Sequence, residues 1–362
     1  MRRSAVLALV AIVAGCTGND ADTSALSTAT TTEVGSTTTS VDTAGCQLGA
    51  GVDEAGEITF IDGRGRLIAA QADGGGQHCV AADVDPGFAW AGGGDKLLLP
   101  DGRIRSEAGV VDSGVPQEAM PAWSRPRGRS VIGVSPDGHL VKHVLDEPGG
   151  VRDISFLERH ESAVYHPAGR AIASVGDGPD GYGIYLADNN GQLLRTLVTG
   201  ESADISQLQW TVTGALMFVA DHGDHTDLHR VDIESGALTT AATTPGSNTI
   251  TDFVASTFAG GGVAWREGGC SARTPTTVAL QGGEALPFPD EAAGLAPVGW
   301  LPDGTIVAGP SRTCASSSAS PLFAVRAGVA TKVADDAPSA AIRVILPTGP
   351  ELPASIPDAA PA

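Results

Sequence analysis

The densest run of chemistry-bearing side chains is Asp221-His222-Gly223-Asp224-His225-Thr226-Asp227-Leu228-His229, with three His and three Asp in nine residues. Imidazole and carboxylate are common ligands of divalent metals, so Asp221, His222, Asp224 and His225 are the metal candidates. The same run also reads as an Asp- and Gly-rich hairpin loop. It fills the place that residues 177–183 fill one repeat earlier, and His229 takes the strand position of Tyr185. Turn chemistry alone explains such loops, so the expectation is a structural hairpin with no metal and no cofactor. Other catalytic patterns fail. There is no G-x-S-x-G elbow, no EF-hand loop with its terminal Glu, and no phosphate-binding glycine loop in strand–helix context. Gly74-Gly75-Gly76, Gly92-Gly93-Gly94 and Gly260-Gly261-Gly262 read as turns. No catalytic residue is expected.

The elements that must carry these loops repeat along the chain. Trp90-x-x-x-Gly94, Tyr165-x-x-x-Gly169, Trp210-x-x-x-Gly214 and Trp300-x-x-x-Gly304 share one pattern. Trp123 with Gly128, Ser256 with Gly260 and Ile345 with Gly349 extend it, at spacings of 33, 42, 45, 46, 44 and 45 residues. Periods of ~40–50 residues are those of four-stranded propeller blades. Within each period, short apolar runs alternate with Asp/Asn/Gly clusters that supply hairpin turns. No 3.6-residue helical period is visible after residue 46. The 48 Gly and 23 Pro of the 362-residue chain fit many tight turns.

Residues 58–67 match residues 184–193, which reads as a third strand, a turn and the start of a fourth. Residues 341–346 supply a first-strand match at the other terminus. The predicted fold is therefore all-β: a propeller of seven blades, six being the alternative, closed by strands from both termini. Such closure removes open sheet edges. Trp90, Trp123, Trp210 and Trp300 recur at core positions. Trp265 is off-register and reads as a candidate surface aromatic.

Residues 1–15 read as a signal peptide. Met1-Arg2-Arg3 is basic, residues 5–15 are an apolar run too short to span a bilayer, and Val13-Ala14-Gly15-Cys16 ends it. This resembles the bacterial lipobox, which implies that Cys16 is acylated and becomes the mature N-terminus. Two acyl chains of a diacylglyceryl group suffice for stable anchoring. Residues 16–45 follow as lipidated Cys and flexible tether; 17–45 hold ten Thr and four Ser. As a coil this tether reaches about 30 Å. The propeller is placed at 46–350, and residues 351–362 are read as a disordered tail.

Five cysteines occur: Cys16, Cys46, Cys79, Cys270 and Cys314. With Cys16 assigned to lipid, an even number remains in an exported chain, where disulfides are the default. Cys270 and Cys314 fall at equivalent positions of consecutive repeats, and Cys46 and Cys79 flank the N-terminal strands. The predicted pairs are Cys270–Cys314 and Cys46–Cys79.

Trp300-Leu301-Pro302-Asp303-Gly304 and Asp180-Gly181-Tyr182-Gly183-Ile184-Tyr185 resemble the repeats of TolB-type and WD40-like propellers of bacterial envelopes, over roughly residues 50–350. The resemblance implies architecture and an envelope location. The formal charge of −20 argues against a nucleic-acid partner. The functional expectation is a lipid-anchored, extracytoplasmic, non-catalytic binding module. Its partners would be the membrane, through the lipid, and an envelope protein or small ligand. The alternative is an envelope hydrolase or lyase with its site at a propeller rim or channel.

Overall fold

The computed structural model describes residues 45–356 apart from 49–51, 53, 116–121, 148, 201–202, 246–248, 259–261, 269–275, 281–284 and 315–319. Cys16, the tether and Cys270 lie outside the described residues. No helix among the described residues is long and apolar enough to cross a membrane.

The described strands form seven four-stranded antiparallel sheets. Six follow chain order and are numbered here as blades 1–6, starting with Ala89–Trp90, Ala122–Trp123, Arg159–Tyr165, Asp204–Trp210, Ile250–Ala255 and Ala296–Trp300. The seventh, the closing blade, takes Ala340–Arg343 from the C-terminal side and Glu57–Ile61, Leu67–Ala70 and His78–Ala81 from the N-terminal side. Through most of the ring, the first strand of a blade contacts the first strand of the next, so these strands form the inner wall. The chain is a seven-bladed β-propeller.

Strand alternation makes both faces of each blade apolar. In Leu216–Asp221 of blade 4, Leu216, Phe218 and Ala220 pack toward blade 3, while Met217 and Val219 pack toward blade 5. This recurs all round, and seven buried clusters fill the seven blade–blade interfaces. The core is a ring of these interfaces, each built from the period-two pattern.

The repeat now has a physical account. The aromatic ends the first strand and reaches back to the preceding blade. Trp90 Nε1 donates to Thr59 Oγ1 at 2.9 Å, Trp123 Nε1 to the Ala89 carbonyl at 3.2 Å, and Trp300 Nε1 to the Val254 carbonyl at 3.2 Å. The Tyr165 hydroxyl meets Ser130 Oγ at 3.0 Å, and Trp210 packs edge-on against His166. The glycine after it turns the chain at positive φ: +66° at Gly94, +73° at Gly169, +78° at Gly214 and +84° at Gly304. A side chain is strained in that region. At Gly169 an added Cβ would also lie 2.1 Å from the Arg125 carbonyl oxygen.

Four expectations are corrected. First, residues 58–67 span the second strand, a turn and the start of the third, not the third and fourth. Second, the closing blade repeats the aromatic position at Ile342, not Ile345, and takes its hairpin glycine, Gly56 (φ +77°), from the other terminus. Ile345 is 54% exposed, and Gly349 ends no strand. Third, Trp265 is buried between blades 4 and 5, with its Nε1 donating to Glu267 at 3.0 Å.

Fourth, the expected tail from 351 is packed as far as residue 356. Ile356 is 3% exposed and sits in the blade 3–4 cluster with Ile205 and Trp210. Residues 344–356 form a strap over the first turns of the blades. Leu346 N–H donates to the Gly92 carbonyl at 2.8 Å, Gly349 lies against Pro167, and Pro350 against Gly214. Blades 3 and 4 stand opposite the closing blade in a ring of seven. The strap therefore crosses the mouth of the channel on that face.

The two ends of the propeller are fastened where they meet. Arg343, 1% exposed, pairs with Glu57 at 3.0 Å, donates to the carbonyls of Gly94 and Leu48, and lies 4.9 Å from the Trp90 ring centroid. Cys46 is bonded to Cys79 on the outer strand of the closing blade. Cys314 is also disulfide-bonded; Cys270, assigned to it from the sequence, lies outside the described residues.

Candidate functional site

Antiparallel order puts the first and third turns of every blade on one face and the second turns on the other. The strap runs over the first turns of blades 1, 3 and 4. The second-turn face carries the connections between blades, the long Cys314 loop between Ile306–Gly309 and Ser320–Arg326, and the tight turn at residues 222–224.

The Cys314 loop is structural. Buried Asp252, on the inner strand of blade 5, pairs with Arg266 at 3.3 Å and accepts from Ser311 Oγ at 2.8 Å and Thr313 Oγ1 at 3.1 Å. The Arg266 guanidinium also contacts Cys314 Sγ at 3.1 Å. The carboxylate and the guanidinium neutralise each other, and the loop supplies the remaining donors.

The second turn of blade 4 is different. It joins Leu216–Asp221 to His225–Val231. The Asp221 carboxylate accepts from the Gly223 N–H at 2.8 Å, an Asx turn, and is thereby committed to folding the loop. His222 and His225 stack with ring centroids 4.4 Å apart and planes 6° from parallel. Residues 225, 227 and 229 alternate onto one side of their strand. Three imidazole nitrogens then converge on one oxygen: His222 Nε2 is 3.6 Å, His225 Nε2 3.7 Å and His229 Nε2 3.6 Å from Asp227 Oδ2. These distances are too long for hydrogen bonds. The ligand atoms of His222, His225 and Asp227 all lie within 4.8 Å of one another.

The far side of three of these groups is held. Asp224 accepts from His225 Nδ1 at 2.6 Å, Thr240 Oγ1 meets His229 Nδ1 at 3.2 Å, and Thr243 Oγ1 donates to Asp227 Oδ1 at 2.6 Å. The imidazole beside the exposed Asp224 lowers the pKa of that carboxyl. The tautomer that donates from Nδ1 leaves His225 Nε2 with a lone pair facing the cluster.

Sequence reasoning placed Asp221, His222, Asp224 and His225 together. The structure keeps His222 and His225, gives Asp221 to the turn and makes Asp224 an outer support. It adds Asp227 and His229, which had been absorbed by the match to blade 3. The signal available was the alternation His225-x-Asp227-x-His229 on a strand.

The other buried histidines are structural. His160 Nε2 accepts from the N–H groups of Phe156 and Leu157 at 3.2 Å, and its Nδ1 donates to Ser174 Oγ at 2.8 Å. His166 Nδ1 accepts from Ala168 N–H at 3.1 Å. Burial pushes both imidazoles down to about 4.

The fold places this chain among the seven-bladed β-propellers. No family model matches it, and no curated protein matches it. Among solved structures it is similar to puromycin hydrolase, at 18% identity and a TM-score of 0.53, over 81% of this chain and 54% of that one. The chain thus spans about half the length of that enzyme. It is also similar to an oligogalacturonate lyase in complex with manganese, at 13% identity and a TM-score of 0.51, over 68% of this chain and 79% of that one. TolB from Acinetobacter baumannii matches at 14% identity and a TM-score of 0.40, over 81% and 67%. These likenesses are likenesses of fold.

Proposed function

We propose that this protein is a lipid-anchored, extracytoplasmic propeller that binds an envelope protein or a small ligand on its second-turn face and catalyses no reaction. The observation that carries the reading is the asymmetry of the two faces. One face is crossed by the protein's own strap, from Leu346 at Gly92 to Ile356 between blades 3 and 4. The opposite face presents the Cys314 loop, the connections between blades and the turn at residues 222–224. Rigid blades with variable loops are the usual way propellers present a binding surface. The Cys46–Cys79 bond supports an oxidising compartment. Val13-Ala14-Gly15-Cys16 supports a lipid on Cys16.

Two experiments test it. Cys16→Ala moves the protein from the membrane fraction to the soluble fraction, or leaves it as precursor; an unchanged membrane fraction refutes the anchor. A photo-crosslinker at exposed Asp137, in the second turn of blade 2, captures an envelope partner or blocks ligand uptake, whereas one at exposed Glu234, in the third turn of blade 4, does not. Capture at Glu234 alone refutes the face assignment.

A further inference from the structure

We infer that the second turn of blade 4 is a binding site for a divalent transition metal of the zinc class, with His222 Nε2, His225 Nε2 and Asp227 Oδ2 as ligands. This stands apart from the anchor and the partner proposed above.

Blade 3 is the internal control. Strand register makes His222, His225, Asp227 and His229 the counterparts of Gly178, Gly181, Gly183 and Tyr185. Blade 3 closes the same turn, with loops of equal length, using three glycines and a tyrosine. Hairpin geometry therefore requires none of the four polar residues in blade 4. Two acidic positions are common to both turns, Asp177 with Asp221 and Asp180 with Asp224, and Asp221 is the residue that folds its loop.

What replaces the glycines is an arrangement unfavourable without a cation. Nε2 of His222 is buried and has no hydrogen-bond partner. A buried polar atom left so costs about 1–3 kcal/mol. It faces the Asp227 oxygen across 3.6 Å, and the His225 nitrogen stands 3.7 Å from that oxygen. A tetrahedral ion with ligands at ~2.0–2.1 Å needs ligand atoms about 3.3 Å apart. The two nitrogen–oxygen distances contract by a few tenths of an ångström to seat the ion, and the stacked rings of His222 and His225, with centroids 4.4 Å apart, must also tilt toward it.

The outer shell is also that of a metal site. His225 is oriented by Asp224 through Nδ1, and Asp227 by Thr243 through Oδ1. Such partners fix the orientation and raise the basicity of ligands. His229 Nε2 lies 3.6 Å from Asp227 Oδ2 and completes the polar wall. Two imidazoles and one carboxylate favour zinc, copper or nickel over calcium or magnesium, which take oxygen ligands. Three protein ligands leave a coordination position for water or for a donor from a bound molecule.

The test is zinc titration of the chelator-treated, disulfide-intact protein, with Co²⁺ absorption as a second reading of geometry. One equivalent binds at micromolar zinc, Co²⁺ gives the intense visible bands of a tetrahedral site, and Ca²⁺ and Mg²⁺ do not compete. His222→Ala with His225→Ala abolishes the equivalent. Asp224→Asn, which removes no ligand, weakens binding ~10–100-fold. His139→Ala, at an exposed pair with Asp153 on blade 2, changes nothing. Absence of zinc uptake at micromolar concentration overturns the assignment. So does a site that survives the double substitution while circular dichroism stays native.

Discussion

Lowering the pH from 7 to 5 should destabilise this propeller through two histidines, and one substitution should remove half of the effect. His160 and His166 are 1% and 0% exposed, and both are held near a pKa of about 4 against the ordinary 6.5. Burial is the main cause. Around His160, Asp153 opposes the shift and His139 adds to it; around His166, Arg125 adds to it. Folding therefore favours the neutral ring. The stability is fully present above 6.5 and is lost as pH falls toward 4. Each ring costs the folded state about 2 kcal/mol at pH 5 and ~3 kcal/mol below pH 4. The wild type should thus lose about 4 kcal/mol between pH 7 and pH 5. The structure also shows where the strain falls. His160 Nε2 already accepts from two backbone N–H groups, and a proton there would set three donors facing one another. The assay is urea unfolding with disulfides intact. His160→Gln keeps an acceptor for those N–H groups and does not titrate, so its loss over the same range should be about 2 kcal/mol. The carboxyls whose pKa is lowered, such as Asp62 and Asp232, lose their contribution at more acid pH and do not enter this window. Equal losses for variant and wild type would refute the reasoning.

Arg343→Met leaves Glu57 buried without its cation and should cost ~3–5 kcal/mol, read as a lowered urea midpoint with unchanged slope. Cys79→Ser opens a loop closed across a separation of 33 residues and should cost about 3–4 kcal/mol by the chain-entropy relation, read the same way. Ile356→Ala should release the strap, so that protease cuts within residues 344–356 while the blades stay intact; the loss from a core of this kind is ~2–5 kcal/mol at most.

The ring was legible because its period rests on two recurring features. In five of the blades a large flat side chain bridges to the blade before, and the glycine after it turns at positive φ. The shift by one strand at residues 58–67 arose because turns of different rank use the same Asp chemistry. Asp62 accepts from Arg64 and Arg66 N–H at 2.9 Å, as Asp188 does from Asn190 and Gln192 at 2.8 Å, although the turns differ in rank. The strap was not legible because its apolar anchors, Leu352 and Ile356, stand singly among Pro, Ala and Ser, with no strand period to mark them. At the blade 4 turn, matching His229 to Tyr185 was right in register. It hid the cluster, because equivalent backbone positions carry unrelated side-chain chemistry.

The bond between Cys46 and Cys79 has a mechanical consequence. Residues 47–78 lie inside a covalent ring, so tension applied to the chain before Cys46 does not run through them. It crosses the sulfur bridge and enters the propeller at the outer strand, His78–Ala81. The strand that grips Ala340–Arg343 and holds the ring shut, Glu57–Ile61, and its neighbour Leu67–Ala70 sit in the slack part of the circuit. A pull on the N-terminal segment therefore loads the edge of one blade and leaves the seam between the termini unstressed until that edge has peeled away. In a reducing solution the same pull would be transmitted directly to Glu57, at the seam itself.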